Sequence, residues 1–288
     1  MGAVLEGLSD TGRIVVDHPV VLVAAVLTGV LAPVVSFVLG LIPLLGGLAY
    51  FVFVQPVFVG GLLNMAVDAA EGDVSADSYV EGVTGNYGSL AGVYAILVGI
   101  TLALTVVAGV LAVVFGLAGA IGGSGTAGPA ADPGVAALGG AIGGVGVVVL
   151  VSLVVALAVA VVVQFVEAAV VVGDAGAGGA YSDSLAVLRD NPLSVMGYTL
   201  VRLVLYALAQ AVPLFLLFGA VGLLGADSGA DAVLGTATLV ALALLGVLGY
   251  VGLTVYHALY YRRVTGRNGG DGSGRAAGGT AAQDPMGP

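Results

Sequence analysis

The 288-residue chain is 59% hydrophobic and 8% charged, too little polar material to clothe a soluble fold, so much of its surface must face lipid. Seventeen acidic residues outnumber seven basic ones, all arginine, which leaves no basic patch for phosphates and excludes nucleic acid as a partner. Cysteine is absent and only two histidines occur, His18 and His257, which excludes disulfides and thiolate chemistry, leaves almost nothing for a His-based metal site and implies no cofactor.

The fold class expected is all-α, a polytopic membrane helical bundle of six spans with short cytoplasmic amphipathic helices. Residues 1–17 are too polar for a signal-peptide core, with Glu6 and Asp10 ahead of Arg13, and predict a short helix capped by Ser9 or Asp10 that ends before Pro19. Two apolar runs follow, broken by Gly40–Pro43, and predict spans at 19–39 and 44–66. Residues 68–88 are polar. Ser78 followed by Glu81 has the spacing of a capping box. A third span is expected at 91–117, and the glycine-, proline- and serine-containing stretch 119–134 reads as a loop.

The next apolar run, Val135–Val172, exceeds what one bilayer crossing needs. The span is therefore placed at 141–163, with the remainder projecting past the interface as helix. Residues 173–194 are polar, with Ser182 or Asp183 as the expected cap. A fifth span is expected at 195–218 and a sixth at 234–256, joined by an acidic loop. The spans form one domain, 1–266, and the glycine-rich remainder, 267–288, is expected to be a disordered cytoplasmic tail.

Arginine placement sets the orientation. With both termini inside, Arg13, Arg189, Arg262, Arg263, Arg267 and Arg275 fall in cytoplasmic segments, Arg202 sits near the inner end of the fifth span, and the three outer loops contain no arginine. The expected location is the cell membrane, multi-pass, with both termini cytoplasmic. An acid excess without lysine suits a salt-rich cytoplasm and suggests a halophilic archaeal source.

Short motifs recur. Asp17-His18-Pro19 and Asp190-Asn191-Pro192 each close a cytoplasmic helix and open an odd-numbered span, with Gly85-Asn86-Tyr87-Gly88 in the corresponding place before the third. Gln55-Pro56-Val57-Phe58 is matched by Gln164-Phe165-Val166, and Ala76-Asp77-Ser78 by Ser182-Asp183-Ser184. Three two-span units in parallel orientation would account for this, as would chance similarity among biased residues. In the Asp-x-Pro element the acid is expected to cap the next helix while proline occupies its first turn. The competing reading is an anion or headgroup site.

These motifs, with the six-span layout, resemble an uncharacterised family of haloarchaeal multi-pass membrane proteins. That family is more distantly similar to the membrane domains attached to some glycerophosphodiester phosphodiesterases. The resemblance covers roughly residues 5–263 and implies a membrane location and an unknown activity. The phosphodiesterase barrel and its acidic metal-binding residues have no counterpart here, so that activity is not implied.

Polar groups within apolar runs are costly and mark the places to look. Gln55, Asn64 and Asp68 lie on the second helix, and Asn64, Asp68 and Glu71 share one helical face. Gln164 and Glu167 lie on the fourth helix, Arg202 and Gln210 on the fifth, and His257 ends the sixth. Glu167 and Arg202 are expected to form an ion pair near the cytoplasmic edge, either as a structural bridge or as part of a hydrophilic cavity. Gly119 with Gly123, Gly139 with Gly143 and Gly140 with Gly144 have the spacing that lets helices approach closely. The carboxylates of Asp73 and Asp77 read as a solvated surface, and no HExxH, GxSxG or phosphate-loop pattern occurs.

Three functions compete: a non-catalytic membrane organiser that binds lipid or a membrane or cytoplasmic protein partner, a small-solute transporter or permease component, and a lipid-acting enzyme. The first is the expectation and the second its alternative. A continuous polar cavity reaching Gln55, Gln164 and Arg202 would favour transport, and a sealed bundle the organiser.

Overall fold

A computed structural model describes residues 2–43, 45–126, 132–207 and 229–266, and every regular element among them is helical. Four helical segments, Pro19–Gly40, Leu45–Glu71, Ala76–Gly123 and Gly134–Val171, are long and apolar enough to cross a membrane. The fifth expected span is described only through a shorter apolar helix, α9 (Pro192–Ala207), and the sixth lies within α10 (Gly229–Val264). Gln210 and the tail 267–288 lie outside the described residues.

The first helix, α1, spans Gly2–Asp17 rather than beginning at Ser9 or Asp10. Its buried positions are Val4, Gly7, Thr11 and Ile14, the three- and four-residue steps of one helical face. Thr11 turns its hydroxyl back onto the Gly7 carbonyl at 2.7 Å, so a buried polar side chain is satisfied within its own helix.

The two Asp-x-Pro sites have the same backbone construction. His18 N–H donates to Ile14 O (3.0 Å) and His18 O accepts from Val21 N–H (3.0 Å), where α1 hands over to α2 (Pro19–Gly40). Asn191 N–H donates to Val187 O (3.1 Å) and Asn191 O accepts from Val195 N–H (2.9 Å), where α8 (Ala177–Asp190) hands over to α9. Pro19 and Pro192 stand in the first turn of their helices, as expected, where a missing N–H leaves nothing unsatisfied. The acids do not take the expected role. Asp17 and Asp190 are the last residues of the preceding helices, and the His18 side chain makes no cap bond. The middle residue's main chain joins the two helices, so the carboxylates stay exposed. At Gly85–Gly88, the third position of the motif, the chain runs on as uninterrupted helix.

A tight turn after Gly40 leads to α3 (Leu45–Ala49), a π-helical turn (Tyr50–Val54) and α4 (Gln55–Glu71). The π turn precedes Pro56, whose ring cannot donate an N–H to the turn before it. Gln55 N–H reaches Tyr50 O instead, and the Phe53 carbonyl accepts from the Tyr87 hydroxyl at 3.3 Å. Gly72 ends α4 at φ 84°. Its N–H meets Ala69 O (3.2 Å) and Asp73 N–H meets Asp68 O (3.0 Å), a paired closure that needs the left-handed conformation glycine tolerates.

The expected separate polar helix and third span are one continuous helix, α5 (Ala76–Thr126). It is capped by Ser75 and Ser78, whose hydroxyls each face the other's N–H (3.4 and 3.1 Å). The capping box is therefore centred three residues before the Ser78–Glu81 pair, because Ser78 already serves as the far member of the earlier box. Much of 119–134 is helical too, with α6 (Pro133–Val163) opened by Asp132, which accepts from Gly134 N–H at 2.7 Å.

Antiparallel α5 and α6 meet through glycine. A methyl on Gly119 would lie 2.1 Å from Gly140 O, one on Gly140 2.0 Å from Gly119 O, and one on Gly123 2.3 Å from Ala136 O. Gly144 approaches Phe115 O in the same way, whereas Gly139 and Gly143 face open space. Of the expected close pairs, Gly119/Gly123 and Gly140/Gly144 line the contact and Gly139/Gly143 do not.

The run 135–172 is not one helix. It breaks at Gln164–Phe165, resumes as α7 (Val166–Val171) and turns at Asp174, φ 53°. α8 begins at Ala177 after Gly176, which places Ser182 and Asp183 inside the helix rather than at its cap. Buried residues gather on one side of these breaks: Phe58–Ala69 of α4, Leu90–Tyr94 of α5, α7, α8, the start of α9 and Val251–Tyr261 of α10. In the most apolar window of α5 no residue is buried. The bundle thus has a dense body, and the α5–α6 hairpin leaves it with apolar side chains outward on most of its length.

Candidate functional site

The break after α6 frees backbone groups in an apolar setting, and three of them, Val162 O, Gln164 O and Phe165 N–H, find side chains. Ser184 of α8, fully buried, donates to Val162 O and accepts from Phe165 N–H (3.3 Å). Arg202 of α9 donates from Nη1 to Gln164 O at 3.1 Å. Ser184 and Arg202 together staple the broken helix from two neighbours. Ser184 stood out in the sequence only through its likeness to Ser78, and that signal located it without giving its role.

Around this break the expected site residues separate into groups. Glu167 accepts a hydrogen bond from the Tyr94 hydroxyl, to which the Gln55 side chain also bonds, and Tyr250 of α10 lies within electrostatic reach of the same carboxylate. Arg202 is not its partner. Among the described residues no carboxylate oxygen comes within ion-pair distance of the Arg202 guanidinium. The reason is geometric: the helix break offers Arg202 an unpaired carbonyl, and Tyr94 reaches Glu167 from α5.

Gln164 belongs with Arg202. Its Oε1 accepts from Thr199 Oγ1 at 3.1 Å, while its Nε2, buried, meets no partner among the described residues. An aromatic block stands beside these groups. The Phe165 ring stacks on His257 (5.8 Å, 4° between planes) and Tyr260 (5.7 Å) and packs against Tyr198 (4.9 Å). The Tyr198 hydroxyl is hydrogen-bonded to His257 Nδ1, and Tyr260 donates to Ser194 at 3.0 Å. Outside the apolar spans, Tyr181 donates to Val93 O at 2.9 Å, and burial pushes its phenol up to about 12.

The third group is the α4 face. Asn64 Nδ2 donates to Ser78 O (2.9 Å) and Asp68 Oδ2 (3.3 Å), and Glu71 pairs with Arg262 at 3.0 Å. Arg262 also donates to Val67 O (3.2 Å). Arg263 pairs with Glu6 (3.4 Å) and Asp10, fastening α1 to the end of α10. Sequence reasoning used these two arginines only to orient the chain.

Two hollows open beside these groups. One of about 300 Å³ lies between α8 and the end of α10, with Asp183, Asp190, Asn191 and Tyr261 on its wall. The other, about 220 Å³, lies between α6 and α9. Gln164, Thr199 and Arg202 form its polar end, and Leu157, Val161 and Leu203 its apolar trough.

A family model described as a domain of unknown function, DUF7847, matches residues 3–264. No curated protein and no solved structure matches the chain.

Proposed function

The chain belongs to the DUF7847 family, and from that premise we propose that it is a non-catalytic membrane organiser, a six-span protein with both termini cytoplasmic that binds lipid or a protein partner through the body below its helix breaks. One observation carries this reading. Gln55 shares a network with Tyr94 and Glu167, Gln164 shares one with Thr199 and Arg202, and the rings of Phe165 and Tyr198 pack beside both. Neither of the two cavities described above reaches both glutamines. A solute pathway would need the polar groups connected. Here most of them bond to one another and to helix ends.

A second reading, a small-solute transporter, is favoured by one feature: the π turn before Gln55 and the break at Gln164, since irregular helices are how many transporters build midplane sites. Proteoliposome flux separates the two. The organiser predicts that reconstituted protein leaves ion and small-solute permeability at the protein-free level. Saturable flux lost in Gln55→Leu or Gln164→Leu would replace it with the transporter.

The absence of native cysteine makes the topology directly testable. Cysteines at Thr126 and Ser228 are expected to react with an impermeant thiol reagent in intact cells, and cysteines at Ser75 and Ser182 only after lysis. The exposed Ser182 is the inner reporter because Ser184 is buried and would stay silent on either side. Labelling of Ser182→Cys in intact cells would overturn the orientation. The matched backbone at His18 and Asn191 supports two of the three proposed parallel repeats, and the acid-rich, lysine-free composition supports a halophilic archaeal source. Distant kinship to phosphodiesterase-attached membrane domains stays part of the proposal and carries no activity with it.

A further inference from the structure

The geometry points to a lipid site: the crevice between α6 and α9 holds one anionic phospholipid, its phosphate on Arg202 and Gln164 and a chain along Leu157, Val161 and Leu203. This rests on the membrane-organiser reading and names the ligand.

The crevice is amphiphilic along its length. Leu157 and Leu203 are exposed on the outer side of the bundle (64% and 62%), where a hydrocarbon chain covers them without displacing protein. At the other end Arg202 is half-buried. It gives Nη1 to Gln164 O and hydrogen-bonds the Tyr198 hydroxyl, and no carboxylate comes within ion-pair distance of it among the described residues. A guanidinium in an apolar wall without a counter-charge is costly, and a phosphate supplies two acceptors in the geometry its fork presents.

Gln164 is the second, independent observation. The residue is only 7% exposed and lines the same crevice, and one end of its amide has no partner among the described residues. The single proton of Thr199 Oγ1 faces both Gln164 (3.1 Å) and Val195 O (2.8 Å), so Thr199 holds one end of the amide and leaves the other for a polar headgroup. A soluble anion would use the polar end and leave the trough bare. A neutral lipid would fill the trough and leave Arg202 unmatched. An anionic lipid satisfies both.

The test uses the full chain purified in detergent and stripped of lipid. It is titrated separately with phosphatidylglycerol, phosphatidylcholine and inorganic phosphate, and bound species are counted by native mass spectrometry. One phosphatidylglycerol is expected to bind about tenfold or more tightly than phosphatidylcholine, with no competition from inorganic phosphate. Arg202→Met should weaken it by about tenfold or more. Leu157→Trp, which fills the trough and touches neither polar group, should do the same with an unchanged thermal midpoint. If Arg202→Met does not fold, Arg202→Lys, which keeps the charge and loses the fork, is expected to bind with intermediate affinity. Equal affinity for the two lipids, displacement by inorganic phosphate, or unchanged binding in Leu157→Trp and the folded Arg202 variant each overturns the site. The flux measurement is separate: silent liposomes with a failed lipid test reject this crevice and keep the organiser, and active flux rejects the organiser itself.

Discussion

Glu167 and Arg202 are close enough for both to act on Tyr198, yet each has a nearer claim. A double-mutant cycle on stability in detergent distinguishes the arrangements. Glu167→Gln with Tyr94→Phe is expected to show a coupling of about 0.5–3 kcal/mol, and Glu167→Gln with Arg202→Met a smaller one. A larger coupling for the second pair would restore the direct bridge. Ser184→Ala is the sharpest single change. It orphans Val162 O and Phe165 N–H together, with an expected loss of about 1–3 kcal/mol, while Ser182→Ala, on the exposed face, should be near neutral.

Tyr181 gives a pH signature at the same scale. Its folded pKa, about 12, lies above the ordinary phenol value of 10.0. Its contribution is therefore whole below pH 10 and is lost as pH rises towards 12, because the unfolded chain releases the proton first. Tyr181→Phe should make alkaline unfolding less steep in that window, measured by circular dichroism. An unchanged slope would mean the hydroxyl titrates alike in both states.

Among the elements, the α5–α6 hairpin depends on its glycines. Leucine at Gly119 or Gly140 would collide with backbone and cannot be accommodated by a side-chain rotation, so each is expected to open the hairpin and lower the yield of folded protein. Leucine at Gly139, which faces open space, should leave the yield unchanged. Equal effects at Gly139 and Gly140 would show that the helices do not meet on this face. The glycine spacing was legible in sequence, but which of two offset pairs faces the partner depends on helix rotation, and both pairs satisfied the pattern. The break at Gln164 was not legible. Nothing in Val-Val-Gln-Phe-Val disrupts helix locally, and what holds the break open is a serine of α8 and an arginine of α9. The Asp-x-Pro starts were half legible: proline's position follows from its missing N–H, but the partner of the acid depends on where the earlier helix ends.

For the molecule as a whole, apolar run length announced the helices long and apolar enough to cross a membrane, and charge carried only the expected orientation. Neither announced the ties that close the body. Arg262 holds the end of α4 through Glu71 and Val67, and Arg263 holds α1 through Glu6 and Asp10. Such contacts leave no periodic trace. They join the last described helix to the first, and their two sides carry no shared motif.

The Arg263–Asp10 contact joins residues 253 positions apart. A ribosome delivers the acids of α1 and α4 long before either arginine, so during synthesis Glu6, Asp10 and Glu71 wait without their cations. The α1 face built on Val4 and Ile14 waits with them, because Gly7 rests on the Tyr256 ring. A chain stalled before α10 would therefore lack both the cations of these pairs and the ring that packs on Gly7 of α1.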